Sequence, residues 1–309
     1  MSRAVVYETF GGPEVLELRE VPRPHAGPGE VCVRVTVAGL NPMDWKISES
    51  PELAVMFGVT VPSGFGYDFA GVVDEVGAGV TEYVVGDRVF GGALARAVAD
   101  FVVVDVSDGT TRSLWHTPDT IGDEVAATLP VAGMTAIAAL AAIDLHRDDT
   151  VLIGGAAGGV GIFAVQLARL AGARVIGTSS EATFDFLRQL GADPVAYGPG
   201  LAERVRRLAA DGVSAATDLF GTETAETALE LGVSPTRICT IAAGVSPPGG
   251  VRTAGGSDAP RDGMAQLTDA LVAGAISVPI AAAFPVERIR EAVASQADGH
   301  VHGKIVVTL

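Results

Sequence analysis

The sequence predicts an α/β protein with a β-rich amino-terminal part followed by a parallel sheet with helices. Two observations carry this prediction. β-branched runs separated by glycine and proline fill the first 110 residues, and strand and helix patterns alternate from about residue 119 to 245. The length of 309 residues corresponds to about two domains at roughly 150 residues each. We therefore expect two units of different architecture.

The amino-terminal part is predicted to consist of short strands. Strand-like runs lie at 4–8, 15–21, 30–40, 69–77 and 87–90, with glycine and proline clusters between them. Short strands at this spacing are typical of a compact barrel or sandwich and not of a parallel sheet.

The middle of the chain alternates between strand and helix patterns. Strands are predicted at 150–154, 173–178, 194–197, 216–220 and 237–243, and helical segments at 158–172, 184–191, 201–212 and 225–232. Strands separated by helices predict βαβ units and a parallel sheet. A flexible Gly/Pro-rich loop at 245–262, a helix near 263–274 and a final strand in KIVVTL are expected to complete the chain.

Charge and composition argue against several classes of function. The 21 Lys and Arg against 37 Asp and Glu give a net charge of −16. Such a surface repels phosphate backbones and anionic lipid, so no nucleic-acid or membrane partner is expected. Cys32 and Cys239 are too few for a disulfide framework or a four-cysteine zinc site. No signal peptide or long apolar run is evident, so we expect a cytoplasmic protein.

The sharpest local signal is the run VLIGGAAGGVG at 151–161. Ala156, Gly158 and Gly161 occupy the three positions of G-x-G-x-x-G, between a predicted strand and an amphipathic helix. Gly158 lets a pyrophosphate approach the backbone, and the helix start, with Gly159 and Val160, offers free N–H groups. The alternative is a purely structural turn. The setting favours dinucleotide binding.

The end of the next strand bears on the choice of cofactor. NAD-preferring sites carry an acid there that holds the ribose 2′-OH. This strand ends in Ser179 and Ser180, whose hydroxyls can bind a 2′-phosphate, which favours NADPH. Glu181, one residue further on, is the counter-argument. Helix capping is the alternative role of the two serines.

Six motifs in order resemble one family. They are AGLNPMDWK (38–46), PSGFGYDFAGVV (62–73), VGDRV (85–89), LPVAGMTA (129–136), AAGGVG (156–161) and GHVHGKIV (299–306). Over nearly its whole length the chain resembles the zinc-free branch of the medium-chain dehydrogenase/reductases, the quinone oxidoreductases or zeta-crystallin-like proteins. The resemblance implies a GroES-like β-barrel catalytic domain at 1–123, completed by about 265–309. It also implies a Rossmann NADP(H)-binding domain with a doubly wound parallel sheet at 124–264, and a homodimer formed through edge strands near 237–243.

The chain departs from the zinc-containing relatives at their ligand positions. Those relatives place a cysteine where Asn41 stands and a histidine where Tyr67 stands, and they carry four clustered cysteines. No metal is therefore expected. The histidines, which are scattered or fall in the carboxyl-terminal motif, are read as exposed or satisfied: His25, His116, His146, His300 and His302.

Two further differences concern single segments. Segment 91–117 lacks the usual family motif and contains an insertion-like stretch at 107–115. Many NADPH-binding relatives carry a lysine early in the helix after the position of Ser180. This chain lacks that lysine and has Thr183 nearby. Tyr197, by contrast, matches a family tyrosine that contacts the adenosine phosphate.

The resemblance supplies candidate catalytic residues. Asn41 is expected beside the nicotinamide ribose and the substrate oxygen, where its amide can donate to developing negative charge; a turn residue is the alternative.

Three more candidates each have a structural alternative. Tyr67 is a candidate hydrogen-bond or proton donor, and the alternative is a buried aromatic residue with a satisfied hydroxyl. Lys46 is a candidate proton donor or phosphate partner, and the alternative is a surface lysine paired with Asp44 or Glu49. Asp44 is a candidate contact of the cofactor or substrate, and the alternative is a structural acid.

The remaining candidates bind the cofactor by family position. Thr135 is expected to lie on the nicotinamide side of the cofactor, and the alternative is a role in helix packing. Ile241, Ala242 and Ala243 are expected to offer backbone groups to the nicotinamide amide. Lys304 is a candidate for a phosphate contact, and the alternative is that it is a solvent-exposed lysine without a role in binding.

These residues together predict an NADPH-dependent quinone oxidoreductase that transfers hydride without zinc. Reduction of an activated carbon–carbon double bond, as in an enoyl thioester or enone, shares the cofactor geometry and stays open. A non-catalytic NADPH-binding sensor is the alternative of another class. The sequence does not identify the physiological substrate, the pathway, the proton donor or the strictness for NADPH.

Overall fold

The computed structural model of the protein describes residues 1–107, 113–244, 246–299 and 301–309. The chain divides into two compact units, Met1–Val131 with Ile280–Leu309, and Ala132–Pro279. The sequence-based boundaries, 1–123 with about 265–309 and 124–264, stay a prediction. The helix predicted near 263–274 groups with the second unit.

The strands and helices follow in chain order. The strands are β1 (Ser2–Tyr7), β2 (Glu17–Val21), β3 (Glu30–Gly39), β4 (Ser63–Gly64), β5 (Asp68–Val76), β6 (Arg88–Gly92), β7 (Phe101–Asp105), β8 (Leu114–His116), β9 (Thr150–Gly154), β10 (Arg174–Ser179), β11 (Asp193–Ala196), β12 (Ala215–Asp218), β13 (Ile238–Thr240), β14 (Arg252–Thr253), β15 (Ile280–Pro285) and β16 (Lys304–Thr308). The helices are α1 (Pro42–Glu49), α2 (Pro51–Met56), α3 (Asp123–Ala126), α4 (Met134–Ala142), α5 (Gly161–Leu170), α6 (Phe184–Leu190), α7 (Leu201–Leu208), α8 (Glu223–Glu230), α9 (Gly263–Val272) and α10 (Ile289–Ala297). No helix within the described residues is long and apolar enough to cross a membrane.

The first unit is built on two sheets. The smaller has the order β2-β1-β4, and the larger has the order β15-β16-β3-β5-β6-β8 with β7 also paired to β3. β3 is antiparallel to its three partners β5, β7 and β16. Its inward-facing valines pack with Phe69, Val89 and Leu114 in one apolar core. The β-branched runs of the amino-terminal part thus form strands because alternate side chains are buried on the sheet.

The second unit contains one parallel sheet with the order β11-β10-β9-β12-β13-β14. In chain order this is 3-2-1-4-5-6, the doubly wound arrangement of two βαβ halves. The predicted Rossmann sheet is therefore confirmed. The strand order reverses between β9 and β12, and in such sheets ligands bind beyond the carboxyl ends of the strands at this point.

Two local predictions differ from the structure. Residues 245–262 were predicted as a flexible loop, but they contain β14, which adds a parallel strand to β13. β13 is therefore paired on both sides, and the edge of the sheet is β14 and not the strand near 237–243. A two-residue strand carries too little periodicity to be recognised in the sequence.

A buried ion pair ties the amino ends of several strands together. Asp149, just before β9, accepts hydrogen bonds from the Ser214 hydroxyl at 2.6 Å, the Arg237 guanidinium at 2.6 Å and the His146 N–H at 2.6 Å. Ser214 precedes β12, and Arg237 precedes β13. Burial opposes ionisation of this carboxyl, but these donors together hold the pKa of Asp149 below its usual range.

We expect Arg237→Ala to destabilise the protein by about 2 kcal/mol, because it leaves a buried carboxylate without its charged donor. Chemical denaturation measures this change. Since the pKa of Asp149 is lowered on folding, its stabilisation is present above the unfolded pKa of about 4 and is lost as the pH falls through the folded value. The difference in the free energy of unfolding between wild type and variant should therefore shrink at acid pH.

Arg207→Ala, which breaks the exposed pair with Glu203, is the control and should change stability by less than about 0.5 kcal/mol. Equal losses in the two variants would contradict the prediction.

Candidate functional site

A tight glycine turn connects β9 to α5 in the second unit. Gly155 has a φ of +66°, a conformation that glycine adopts without strain. Its N–H donates to Thr178 Oγ1 at 3.1 Å, and the Ala156 N–H donates to the Thr178 carbonyl at 3.2 Å. A Cβ on Gly161 would lie 2.3 Å from the Gly155 carbonyl oxygen. Only glycine therefore permits the close approach of α5 to the turn.

Just before α5, the N–H groups of Gly159 and Val160 donate to no described residue. In its first turn, the N–H groups of Ile162 and Phe163 donate to the carbonyls of Gly158 and Val160. The Gly158 N–H turns back to the Gly155 carbonyl at 3.0 Å, and α5 begins at Gly161. The first N–H groups of a helix have no partner within the helix, and the helix dipole adds a partial positive charge there. Gly159 and Val160 lie on this approach. The predicted loop, Ala156 to Gly161, therefore lies at the switch point of the sheet, and its binding of a phosphate stays a prediction.

Two serines and a tyrosine lie at the carboxyl ends of β10 and β11. The Ser179 hydroxyl donates to the Ser180 carbonyl at 3.0 Å, and the Ser180 hydroxyl lies 2.8 Å from the Thr183 hydroxyl. Ser180 is the N-cap residue of a short 3₁₀ turn and makes no side-chain capping hydrogen bond there, and its contact with a 2′-phosphate stays a prediction. Tyr197 is 59% exposed, and its N–H donates to the Ser179 carbonyl at 3.4 Å. The structure thus brings Ser179, Ser180 and Tyr197 together.

Arg204 fixes the loop that carries Tyr197. From α7 its guanidinium donates to the carbonyls of Ala196, Tyr197, Gly198 and Pro199, at distances of 2.7–3.2 Å. Sequence reasoning missed this contact because an arginine in a helix gives no signal of which carbonyls it will reach.

The other predicted cofactor contacts of the second unit lie in α4 and in the segment after β13. Thr135 is buried in α4, and a Cβ on Gly256 would lie 3.5 Å from its hydroxyl. Ile241, Ala242 and Ala243 follow β13 in an irregular segment. There the Ile241 N–H donates to the Asp218 carbonyl at 3.0 Å, and the Ala242 N–H donates to Thr240 Oγ1 at 3.2 Å.

The first unit contains a buried polar cluster centred on Asn41. Its amide nitrogen donates to Asp68 Oδ2 at 2.8 Å, and its amide oxygen accepts from Lys304 Nζ at 2.7 Å. Lys304 also donates to the Leu40 carbonyl at 3.0 Å. Lys304 is therefore buried and not the solvent-exposed lysine that the sequence allowed, while its phosphate contact stays a prediction.

The two carboxyl groups of this cluster share a buried environment. Asp44, in the first turn of α1, accepts from the Asn41 backbone N–H at 2.8 Å. Burial, with the charge of Asp68 acting in the same direction, raises the pKa of Asp44 to about 8. Burial also raises the pKa of Asp68 to about 7, against the opposing effect of Lys304. Burial lowers the pKa of Lys304 in turn.

Tyr67 and Lys46 lie outside this hydrogen-bonded cluster. The Tyr67 ring packs against Gly92, and burial followed by the charge of Asp68 raises the pKa of its phenol. The phenol makes no hydrogen bond to a described residue, and its role as a hydrogen-bond or proton donor stays a prediction. Lys46 is exposed, with its ammonium 5.6 Å from the Trp45 ring and not paired with Asp44 or Glu49 in the described part of the chain.

Besides Arg204, sequence reasoning missed three residues of the candidate site, which are Asp68, Thr178 and Asp218. Asp218, at the carboxyl end of β12, accepts from the backbone N–H groups of Phe220, Gly221, Thr224 and Ala225 at 2.8–3.2 Å. An acid directly after the predicted strand was the available signal for Asp218.

Comparisons with known proteins agree with this architecture. The family description "Alcohol dehydrogenase GroES-like domain" matches residues 27–164, and "Zinc-binding dehydrogenase" matches residues 159–250. A quinone oxidoreductase of Pseudomonas aeruginosa is 36% identical over 237 residues, which cover 74% of this chain and 70% of the relative. The chloroplast envelope quinone oxidoreductase homolog of Arabidopsis thaliana is 37% identical over 205 residues, which cover 63% of this chain but only 60% of that protein's length.

Solved structures resemble the whole chain. A mycobacterial protein whose structure was solved in complex with NADPH has a TM-score of 0.86 at 28% identity, with 100% of both chains covered. The CurK enoyl reductase has a TM-score of 0.86 at 25% identity, with 99% of both chains covered. The GroES-like and Rossmann fold class is thereby confirmed. The chain belongs to the quinone oxidoreductase family of the medium-chain dehydrogenase/reductases.

Proposed function

We propose that the protein is an NADPH-dependent oxidoreductase that transfers hydride from NADPH to a quinone without zinc. The observation that carries the proposal is the glycine turn before α5, followed one strand later by Ser179 and Ser180 in place of an acid. The quinone oxidoreductase relatives and the NADPH complex of a structural neighbour support it.

The second unit would bind the cofactor through three features. The free N–H groups just before α5 bind the pyrophosphate. Ser179, Ser180 and Tyr197 hold the adenosine phosphate. Thr135 and the backbone of residues 241–243 hold the nicotinamide end. A Cβ on Gly158 would lie 3.3 Å from the Gly155 carbonyl and nothing else lies near, which leaves room for a phosphate at the backbone.

The chain's own residues would orient the reacting groups. NADPH supplies the hydride when bound. Asn41 donates a hydrogen bond to the substrate oxygen that gains negative charge, since an amide retains a second N–H after its bond to Asp68. Tyr67 offers a phenol that is protonated at neutral pH and can donate a hydrogen bond, and burial raises its pKa further. Quinones and enones suit such a site, since their charge spreads onto a distant oxygen.

The residues present do not fit the zinc that one family description names. Asn41 and Tyr67 offer an amide and a phenol, which are poor zinc ligands compared with thiolate and imidazole. Within the described residues, no group of three or more His, Cys, Asp or Glu is arranged to hold a metal ion. We derive no step through zinc. His300 and residues 108–112 of the divergent segment 91–117 lie outside the described residues.

We expect Ser180→Ala to raise the Kd for NADPH by roughly tenfold and to leave the Kd for NADH unchanged, because one hydrogen bond to the 2′-phosphate is lost. Fluorescence titration with each cofactor measures the two constants. Ser234→Ala is the matched control, since Ser234 pairs with Thr236 at 2.9 Å before the amino end of β13, away from the carboxyl ends of β10 and β11. A loss of the same size for both cofactors would contradict the assigned 2′-phosphate contact.

Steady-state oxidation of NADPH with an ortho-quinone and a simple enone, with NADH as control, tests the function itself. Turnover of the quinone supports the proposal. Turnover of the enone alone points to the second candidate, an activated C=C reductase, which the likeness to an enoyl reductase favours. Binding of NADPH without turnover points to a sensor. We further propose a homodimer that acts in the cytoplasm on a small molecule, without a nucleic-acid or membrane partner.

A further inference from the structure

The buried cluster around Asn41 holds two acids and one base. Asp68, Lys304 and Asp44 are 0%, 3% and 5% exposed. Together with the phenol of Tyr67, they are the groups whose charges act on one another there. An uncompensated charge costs several kcal/mol in such a place. With Lys304 protonated, one carboxylate is balanced and the second is not.

The hydrogen bonds distinguish the two acids. Both oxygens of Asp68 accept, Oδ2 from the Asn41 amide at 2.8 Å and Oδ1 from the Val131 backbone N–H at 3.1 Å. Asp44 accepts through Oδ2 from the Asn41 backbone N–H at 2.8 Å, and its side chain also interacts with the Asn41 side chain. Its Oδ1 accepts from no backbone N–H of a described residue and is free to carry a proton. The charge therefore belongs on Asp68 and the proton on Asp44.

A small cavity borders Asp44. The cavity has a volume of about 10 Å³, and the residues that line it include Asp44, Tyr7, Ile47, Gly64 and Phe65. This volume holds about one water molecule. A water there can accept a hydrogen bond from the protonated acid.

The same charges decide the orientation of the Asn41 amide. Lys304 has only donors and an ionised Asp68 has only acceptors. The amide oxygen must therefore face Lys304 and the amide nitrogen must face Asp68, as the hydrogen bonds have it. A flipped amide would set a donor against a donor and an acceptor against an acceptor.

We propose that Asp44 and Asp68 hold one proton between them, on Asp44, and that ionised Asp68 and Lys304 lock the Asn41 amide in one orientation. Asp68 and Lys304 are then positioning residues for Asn41. The kinetic consequence rests on the proposed function, in which Asn41 touches the substrate. The number of protons held by Asp44 and Asp68 does not depend on the proposed function.

Infrared spectroscopy of the whole chain at neutral pH counts buried protonated carboxyl groups through their carbonyl stretching band. We expect one such group in the wild type and none in Asp44→Asn. Asp68→Asn should also have none, because Asp44 then ionises against Lys304. Lys304→Met should have two, because no cation remains to balance either acid. Asp149→Asn, which removes a buried acid held ionised, is the control and should leave the band unchanged. Absence of the band in the wild type, or a count that does not follow these charges, overturns the proposal.

Kinetics tests the positioning role, with thermal denaturation of each variant to verify folding. Lys304→Met should lower kcat by roughly 10- to 100-fold, since misorientation of a single contact group costs this much, and should leave the Kd for NADPH unchanged. A raised Kd with unchanged kcat would make Lys304 a cofactor contact and refute its positioning role. If Lys304→Met does not fold, Asp68→Asn provides the same comparison. A wild type without turnover contradicts the proposed function alone, because the infrared count decides the proton assignment independently.

Discussion

Gly161→Ala is expected to abolish measurable NADPH binding, with a Kd raised by at least about 100-fold, and to destabilise the second unit. The added Cβ would lie 2.3 Å from the Gly155 carbonyl oxygen and 2.5 Å from that of Ala156. Backbone oxygens cannot move aside as the end of a side chain can. Alanine favours a helix by up to about 1 kcal/mol over glycine, but the clash forces α5 away from the turn, and we expect a net loss of roughly 2–3 kcal/mol.

Gly158→Ala separates binding from folding. Its Cβ would meet only the Gly155 carbonyl, at 3.3 Å, so stability should change little while the space for the pyrophosphate is filled. Cofactor titration and chemical denaturation of both variants measure the two effects. Gly122→Ala, where the Cβ meets nothing within 4 Å, is the control. Wild-type NADPH affinity in Gly161→Ala would show that the turn is not the pyrophosphate site.

Asp218→Ala is expected to cost roughly 3 kcal/mol of stability. The carboxylate accepts hydrogen bonds from four backbone N–H groups before and at the start of α8. Its loss leaves them without this acceptor, and the N–H groups of Thr224 and Ala225 are buried. The effect should extend to NADPH affinity, since the segment after β12 packs on the glycine turn: a Cβ on Gly155 would lie 3.0 Å from Phe220 Cβ.

The measurement is urea denaturation together with cofactor titration. Asp258→Ala is the matched control, because Asp258 is exposed and accepts from only the Gly255 N–H, at 2.8 Å. We expect it to cost less than about 1 kcal/mol. Equal losses in the two variants would show that the buried carboxylate of Asp218 contributes no more than an exposed cap.

Most of the second unit's architecture follows from local patterns. The strand predicted at 150–154 is β9, and the helix predicted at 184–191 is α6 (Phe184–Leu190). Apolar period and glycine position are properties of short segments, so they are visible without any tertiary contact. The helix predicted from 158 begins only at Gly161, because the first residues form the turn. β14 was missed because it is a strand only through its pairing with β13.

The sequence by itself determined the fold class, the glycine turn and the serines after β10, since each depends on residues close together in the chain. The tertiary structure alone decided the state of the polar residues. Lys304 reads as a surface lysine in KIVVTL, yet it is buried against Asn41, 263 residues away. In the sequence, nothing distinguishes Asp68 from the other 36 of the 37 Asp and Glu residues. Its charge matters because it is buried beside Asp44 and Lys304. Desolvation and pairing depend on which distant groups meet, and only the folded chain brings them together.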